Sequence, residues 1–148
     1  MSSCESPTIS NCTFTRNTAR IHGDGVSSYS GTATLTNCLL WANQSNQIYV
    51  QSGTPIVSYC DVQGGWPGEG NIDEDPLFVD PGNGNIHLLS QSPCIDRGDP
   101  DFQPGPGETD IDGDPRVING RVDMGSDEYA HDRPPDRKQP RGGNRFLR

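Results

Sequence analysis

Three aspartates alternate along a short run in the second half of the chain, and their spacing is the clearest chemical signal in it. Asp110, Asp112 and Asp114 flank Gly113, a pattern shared with the opening of calcium-binding loops. Calcium takes six to eight oxygen ligands, and carboxylates on a flexible turn supply them. The run therefore predicts a calcium site at Asp110, Asp112 and Asp114. Calcium is the cofactor that the sequence suggests, although nothing in it requires one.

The same residues also fit a purely structural interpretation. Asp-Gly and Asp-Pro steps build turns without any ion. The bidentate Glu expected at the twelfth position of an EF-hand loop, counted from Asp110, is replaced by Arg121. Turn building therefore stands beside calcium binding as an interpretation of the run. Two further acidic sets occur nearby, namely Asp96, Asp99 and Asp101, and Asp123, Asp127 and Glu128.

Catalysis on polysaccharides would need residues that the first half of the chain scarcely supplies. A lyase needs a base and a cation that neutralises the substrate carboxylate, but Arg16 and Arg20 are the basic residues there and the only lysine is Lys138. Hydrolysis needs a pair of carboxylates, and only Asp24 and Asp61 are candidates among the aspartates. We therefore predict that this chain is not an enzyme, and that any catalytic site lies upstream in a longer parent.

Aromatic residues are the remaining candidates for ligand contact. Trp41, Trp66, Tyr29, Tyr49 and Tyr59 could stack on sugar rings, which makes a cell-surface polysaccharide a candidate partner. They could equally pack loops against a core. The sequence leaves both interpretations open.

These candidates are carried on a repeated stretch. Residues 7–14, 33–40 and 55–62 each have an aliphatic residue three positions before a Cys and an apolar residue two positions after it. The cysteines are spaced 26 and then 22 residues apart. A period of this length is typical of a solenoid, in which each unit buries its apolar face against its neighbours.

The type of solenoid follows from the local pattern. The step from Cys to the apolar residue has the period of a strand, whereas the step before the Cys requires a bend. Asn11 and Asn37 precede their cysteines, and Asn tolerates the left-handed conformation of a tight corner. A leucine-rich repeat has a similar length but wants a helical turn in each repeat, which 18 Gly and 13 Pro disfavour. We predict an all-β fold of parallel β-helix type.

This fold predicts three interior stacks and a set of free thiols. Stacked strands lie about 4.8 Å apart, but the Cβ vectors of stacked cysteines run parallel and do not converge as a disulfide requires. We therefore expect the repeat cysteines to be interior thiols; Cys4 and Cys94 have no partner that the sequence reveals. The expected stacks are Ile9, Leu35 and Val57; Cys12, Cys38 and Cys60; and Phe14, Leu40 and Val62.

Beyond the repeats, the segment from Gly70 to Tyr129 carries four motifs in series. They are GNIDEDPLFVDP (70–81), SPCIDRG (92–98), DIDGDPR (110–116) and VDMGSDEY (122–129). This series resembles the C-terminal "choice-of-anchor Q" module of large secreted bacterial proteins. The repeats before it resemble the right-handed parallel β-helix proteins of bacteria. The module match covers about 60 residues, and the weaker repeat match covers the first 66 or so.

The resemblance implies an organisation and a location. We expect truncated coils of a right-handed parallel β-helix at 1–66, an irregular, loop-rich capping module at 67–130, and a disordered basic tail at 131–148. The module normally follows a β-helix and precedes a surface-sorting signal, so the resemblance implies an extracellular or cell-surface protein. Because a solenoid usually needs at least three repeats and no signal peptide pattern opens the chain, we expect further coils upstream.

Charge and hydropathy exclude several function classes. The net charge is −9; residues 131–148 carry six Lys or Arg against two Asp, and the other 130 residues carry 18 acidic against five basic side chains. So acidic a body repels nucleic-acid phosphates, so we expect no nucleic-acid partner. The chain contains no run of 18 apolar residues, which argues against a transmembrane helix.

The sequence as a whole predicts a non-catalytic structural module. It would end a secreted β-helix and lead to an anchor or sorting tail. Two alternatives remain from the same residues: the remnant of a carbohydrate-active β-helix of the polysaccharide lyase or hydrolase kind, and a calcium-dependent adhesin.

Overall fold

The structure, a computed structural model, describes residues 6–21 and 23–131. Within these residues the fold is all-β, as predicted, and the only helical element is one turn of 3₁₀-helix at Pro81–Asn83. The described part contains no helix with the length and apolar character needed to cross a bilayer. The strands are β1 (Thr8–Ser10), β2 (Thr13–Thr15), β3 (Val26–Ser28), β4 (Thr34–Thr36), β5 (Leu39–Trp41), β6 (Ile48–Val50), β7 (Ile56–Ser58), β8 (Asp61–Val62), β9 (Phe78–Asp80) and β10 (Asn85–Leu88).

Eight of these strands form three parallel sheets. Sheet 1 has the order β1-β4-β7, sheet 2 the order β2-β5-β8, and sheet 3 pairs β3 with β6. The chain visits the three sheets in turn and then returns to the first, which creates stacked layers: layer 1 (β1–β3), layer 2 (β4–β6) and layer 3 (β7 and β8). This stacking of parallel strands is compatible with a β-solenoid.

Two corners with positive φ turn the chain from one sheet to the next. The first corner is formed by Asn11, Asn37 and Tyr59, with φ of 53°, 54° and 52°, so the predicted bend before each Cys is confirmed. The second corner follows sheet 2 at Arg16 and Ala42, with φ of 56° and 57°. At the first corner the Asn37 amide also donates to Asn11 Oδ1 at 3.1 Å, which links layers 1 and 2 outside the backbone ladder.

The predicted apolar stacks are confirmed by the strand register. Ile9 pairs with Leu35, which pairs with Val57 in sheet 1. In sheet 2, Phe14 pairs with Leu40, and Leu40 pairs with Val62. The middle-layer residues Leu35 and Leu40 are fully buried, as expected of a stack that is covered on both sides.

The cysteines of the repeats form the interior row of free thiols that the sequence predicts. Cys38 and Cys60 are fully buried and Cys12 is half-buried. Cys4 lies outside the described residues. Each thiol donates to the carbonyl two residues before it, and this carbonyl belongs to a Ser or Thr in every copy: Ser10 at 3.0 Å, Thr36 at 3.3 Å and Ser58 at 3.2 Å.

Sheet 3 was not predicted. Its strands, Val26–Ser28 and Ile48–Val50, pair in register, but only two copies exist and they share little sequence. A repeat is recognised from the residues that recur, and here the recurring feature is an apolar residue at the start of each strand. Asp24 ties this side of layers 1 and 2 together, because its carboxylate accepts from Ala19 N and from Ser45 N and Oγ.

Layer 3 is covered on its outer edge by residues 66–72. This segment, the end loop, bonds to the backbone groups of β7 and β8 that would otherwise be an open strand edge. Trp66 packs against the interior core, and the Asn71 side chain substitutes for a strand. The bonds are Tyr59 N to Glu69 O (2.8 Å), Cys60 N to Asn71 Oδ1 (3.0 Å), Asn71 Nδ2 to Val57 O (2.9 Å), Ile72 N to Cys60 O (2.9 Å) and Val62 N to Ile72 O (3.0 Å).

The remaining residues lie along the outer face of sheet 2. β9 and β10 form an antiparallel pair, and Leu88, Cys94 and Met124 pack with Leu39 in a second core cluster. Thr13, Leu39 and Asp61 follow one another in register on this outer face. We call this contact the seam. It makes sheet 2 a layer that is buried on both faces.

The middle of the sheet 1 stack should carry more stability than its exposed surface. We expect Leu35→Ala to lower the free energy of unfolding by about 2–5 kcal/mol, because it opens a cavity between Ile9 and Val57. Ile56→Ala, whose side chain is 55% exposed in the same sheet, should change it by less than about 0.5 kcal/mol. Urea unfolding of both variants measures the difference, and equal losses would contradict the stack.

Candidate metal centre and buried acidic groups

Asp110 organises the acidic run by accepting backbone hydrogen bonds. Its Oδ1 accepts from Asp112 N at 2.9 Å and from Asp114 N at 2.8 Å, and its Oδ2 accepts from Glu128 N at 3.1 Å. The backbone closes the same turn, since Asp110 N donates to Asp114 O at 2.9 Å. Asp110 is buried. Its carboxylate thus does for this loop what turn-forming aspartates do elsewhere.

The three aspartates nevertheless lie close enough to share an ion. Asp110, Asp112 and Asp114 can each offer one carboxylate oxygen such that the three oxygens lie within 4.8 Å of one another. The structure therefore brings together the residues that the sequence singled out. Three oxygens of this kind are half or fewer of the ligands that calcium takes, so carbonyls or water would have to complete the shell.

His87 joins this cluster, which sequence reasoning did not find. Its Nε2 lies 2.9 Å from Asp112 Oδ2 and 4.0 Å from Asp127 Oδ1. Its Nδ1 lies 2.5 Å from Asn85 Oδ1. His87, Asp112 and Asp127 form a second group whose ligand atoms lie within 4.8 Å of one another. The 25-residue separation of His87 from Asp112 in the chain leaves no spacing signal that could have revealed it.

The two groups share Asp112 and differ in chemistry. The all-oxygen group of Asp110, Asp112 and Asp114 suits calcium. The mixed group of one imidazole nitrogen and two carboxylates suits zinc or manganese better. In both groups a buried carboxylate also holds a backbone amide, since Asp127 Oδ2 accepts from Leu88 N at 2.9 Å. The cluster can therefore hold the β10 strand against the acidic loop without an ion.

A second acidic network is buried beneath the loop. The Arg116 guanidinium is almost fully buried, lies 3.3 Å from Glu128 Oε1 and donates to Gly125 O at 2.9 Å. Asp123 accepts from Asp96 N and Tyr129 N, both at 2.7 Å. Burial raises the pKa of Glu128 to about 8 and that of Asp123 to about 6, because it disfavours the charged carboxylate.

Asp61 carries the third buried carboxylate and lies in the seam. It is fully buried, its Oδ2 accepts from the Cys94 thiol at 3.2 Å, and its Oδ1 accepts from Glu74 N at 3.3 Å. Burial raises the pKa of Asp61 to about 7, and the neighbouring Asp73 and Glu74 charges add to that shift. Burial and the Asp61 charge also raise the pKa of Cys94. This pair is therefore a structural contact, inaccessible to a substrate.

The other residues considered from sequence take separate places. Asp24 and Asp61 hold different partners, so the two carboxylates do not form a catalytic pair. Asp99 Oδ1 accepts from Asp101 N at 2.9 Å in a local turn. Tyr29 and Tyr49 contact each other edge-to-face with centroids 6.2 Å apart.

Comparison with known proteins adds no relative to these observations. No protein-family model matches the chain, and neither the curated proteins nor the solved structures contain a match to it.

The acidic run can be tested by separating its turn from its charge. We expect Asp110→Ala to lower the free energy of unfolding by about 2–4 kcal/mol, because three backbone amides lose a charged acceptor. Asp112→Ala should cost less than about 1 kcal/mol, because its contact with His87 is 30% exposed on the Asp112 side. Calcium should shift the melting temperature no further than sodium chloride of equal ionic strength does.

A calcium-specific rise in melting temperature that disappears in Asp112→Ala would contradict this expectation and establish a site. His87→Gln distinguishes the two groups: it would leave binding at Asp110, Asp112 and Asp114 intact and remove binding at the mixed group. Isothermal titration calorimetry with calcium and with zinc supplies the independent measurement.

Asp61 should make stability fall as the pH rises. Below about pH 4 the carboxyl is protonated in both states; between about pH 4 and 7 only the folded protein keeps its proton. The free energy of unfolding should therefore decline across this window by roughly 2–4 kcal/mol, at about 1.4 kcal/mol per pKa unit. Asp61→Asn should remove that decline, and the exposed Asp101→Asn should not. Urea unfolding at pH 5 and pH 8 measures it; parallel pH profiles for Asp61→Asn and the unmodified chain would contradict it.

Proposed function

We propose that this chain is the closed C-terminal end of a right-handed parallel β-helix and acts as a non-catalytic structural module of a secreted or cell-surface protein. In this proposal the segment after the repeats is a capping module of the choice-of-anchor type, which terminates the solenoid and leads to an anchor or sorting tail. Further coils precede layer 1 in the parent protein. Neither nucleic acid nor a required cofactor takes part.

The observation that carries the proposal is the difference between the two ends of the layer stack. Layer 3 is covered by the end loop, whose backbone and Asn71 side chain pair with β7 and β8. In layer 1 the interior residues Ile9, Cys12 and Phe14 are only half-buried. Their equivalents in layer 2 are fully buried. A stack that is closed at one end and open at the other fits the last coils of a longer solenoid.

The seam supports the same role for the C-terminal part. A simple cap would cover only the last layer, but the seam reaches all three, through Thr13, Leu39 and Asp61 in successive layers. Ser126 N donates to Thr13 Oγ1 at 3.0 Å, and Gly125, with φ of 104°, approaches so closely that a Cβ there would lie 2.8 Å from the same oxygen. The C-terminal part therefore locks the layers together.

A carbohydrate-active or adhesive role is the alternative from the sequence. The carboxylates available for hydrolysis are committed elsewhere: Asp24 holds backbone amides and Asp61 is buried against Cys94. Calcium at Asp110, Asp112 and Asp114 would add rigidity to the loop that carries Glu128 in its hydrogen-bond network. We place it as an accessory to the structural role.

The open end can be tested by giving it another layer. A variant chain with a second copy of residues 7–32 ahead of Pro7 keeps the 26-residue spacing of layers 1 and 2. We expect one cooperative transition, a larger urea m-value because more surface is buried, and about 2–4 kcal/mol of added stability from full burial of layer 1. The control inserts the same 26 residues in scrambled order.

Two separate transitions in the repeated variant, or the same m-value as in the scrambled control, would show that layer 1 does not accept a further layer. Either result would remove the proposal that the chain ends a longer solenoid.

A further inference from the structure

A pocket of about 280 Å³ lies where the second corner meets the β9–β10 pair. One wall comes from the layers and contains Thr15, Arg16 and Trp41; the other comes from the C-terminal part and contains Asp75 and Phe78. Thr15 and Trp41 are paired in the register of sheet 2. The pocket is thus built by the folded seam, and its volume suits one small ring better than a drug-sized ligand.

Three polar groups of this pocket are incompletely used within the protein. Thr15 Oγ1 is buried and has no hydrogen-bond partner among residues 6–21 and 23–131, which normally costs about 1–3 kcal/mol. In the same part of the chain, no hydrogen bond or ion pair engages the exposed Arg16 guanidinium. The Asp75 carboxylate accepts from Leu77 N through Oδ1 at 3.0 Å, which leaves Oδ2 as an acceptor at the pocket rim.

The backbone at Arg16 is a second unusual feature. Arg16 has φ of 56°, a conformation that Gly and Asn adopt more readily than Arg does. The equivalent first corner uses Asn in two of its three copies. An arginine at this corner therefore places a long cation at the pocket rim at a conformational cost, which is a reason to look for a function.

We propose that this pocket binds one sugar ring that carries a carboxylate, as a hexuronate unit of an acidic saccharide does. The aromatic faces of Trp41 and Phe78 offer an apolar surface for the ring. The sugar hydroxyls satisfy Thr15 Oγ1 and Asp75, and the sugar carboxylate pairs with Arg16 in a charge-assisted hydrogen bond. This binding site is separate from the structural role proposed above and does not depend on the open end of layer 1.

The charge distribution determines which ring suits the site. Residues 1–130 are strongly acidic, so they repel an anionic ligand in general, and a carboxylate binds only where a local cation outweighs that field. Arg16 is the cation at this pocket. The amide-bonded Asp75 occupies the opposite wall, so the carboxylate of the sugar is oriented toward Arg16 and its hydroxyls toward Asp75.

The test is a titration followed by amide and indole shifts in ¹H–¹⁵N NMR spectra, with a hexuronate trisaccharide and its methyl ester as paired probes. We expect the acid to bind with millimolar affinity or better and to shift the Trp41 indole and the Arg16 amide. The ester keeps the ring and hydroxyls but loses the charge, and it should bind about tenfold more weakly. The trisaccharide should be recovered uncleaved.

Variants distinguish the pocket from a general charge effect. Arg16→Gln should weaken binding of the acid about tenfold and leave the ester unchanged. The matched control is Arg20→Gln, which makes the same change in charge at an exposed residue outside the pocket. Asp75→Asn keeps the acceptor for Leu77 N and should weaken both probes equally. Because Trp41→Leu could disturb the seam, its spectrum must remain folded before its expected loss of binding is used.

Equal affinities for acid and ester, equal losses in Arg16→Gln and Arg20→Gln, or no shift at the Trp41 indole up to tens of millimolar probe would each overturn the proposal. In the last case water alone satisfies Thr15 Oγ1. None of these outcomes affects the layered structure, whose own test is the added layer of residues 7–32.

Discussion

The left-handed turn before each repeat cysteine is the constraint on which the rest of the structure depends. Asn11, Asn37 and Tyr59 adopt nearly the same φ, so the aliphatic residue before each turn and the apolar residue after it both point inward, although they belong to different sheets. A corner of another geometry would turn one of those residues outward, because side chains alternate along a strand. The thiol between them is small enough to fill the inside of the bend.

Acidic side chains hold this protein together through its backbone. Asp110, Asp123 and Asp127 each accept hydrogen bonds from amides of distant residues, and Asp24 does the same between layers 1 and 2. An amide that lies outside a strand or helix still needs an acceptor when it is buried. A loop-rich segment with few regular elements meets that need with carboxylates, which explains how a chain of net charge −9 can fold.

The sequence predicted what repeats and missed what is brought together only by folding. The stacks of Leu35 and Leu40 follow from three aligned copies, and the corner at Asn37 follows from its residue type. Sheet 3 has only two dissimilar copies, so it left no period to detect. His87 meets Asp112 across 25 residues of irregular chain, and Arg16 meets Asp75 across 59, because the C-terminal part folds back along sheet 2. Such contacts depend on the path of loops, which residue spacing does not encode.

The closed end of layer 3 is the central claim, and amide hydrogen exchange tests it most directly. The amides of Tyr59, Cys60 and Val62 should exchange as slowly as that of Leu39 in layer 2, because each donates to the end loop or to Asn71. Protection in this ladder is set by opening of the whole fold. Exchange of these three amides as fast as that of the exposed turn at Gly53 would show that layer 3 is open, and would contradict the account of this chain as a closed solenoid end.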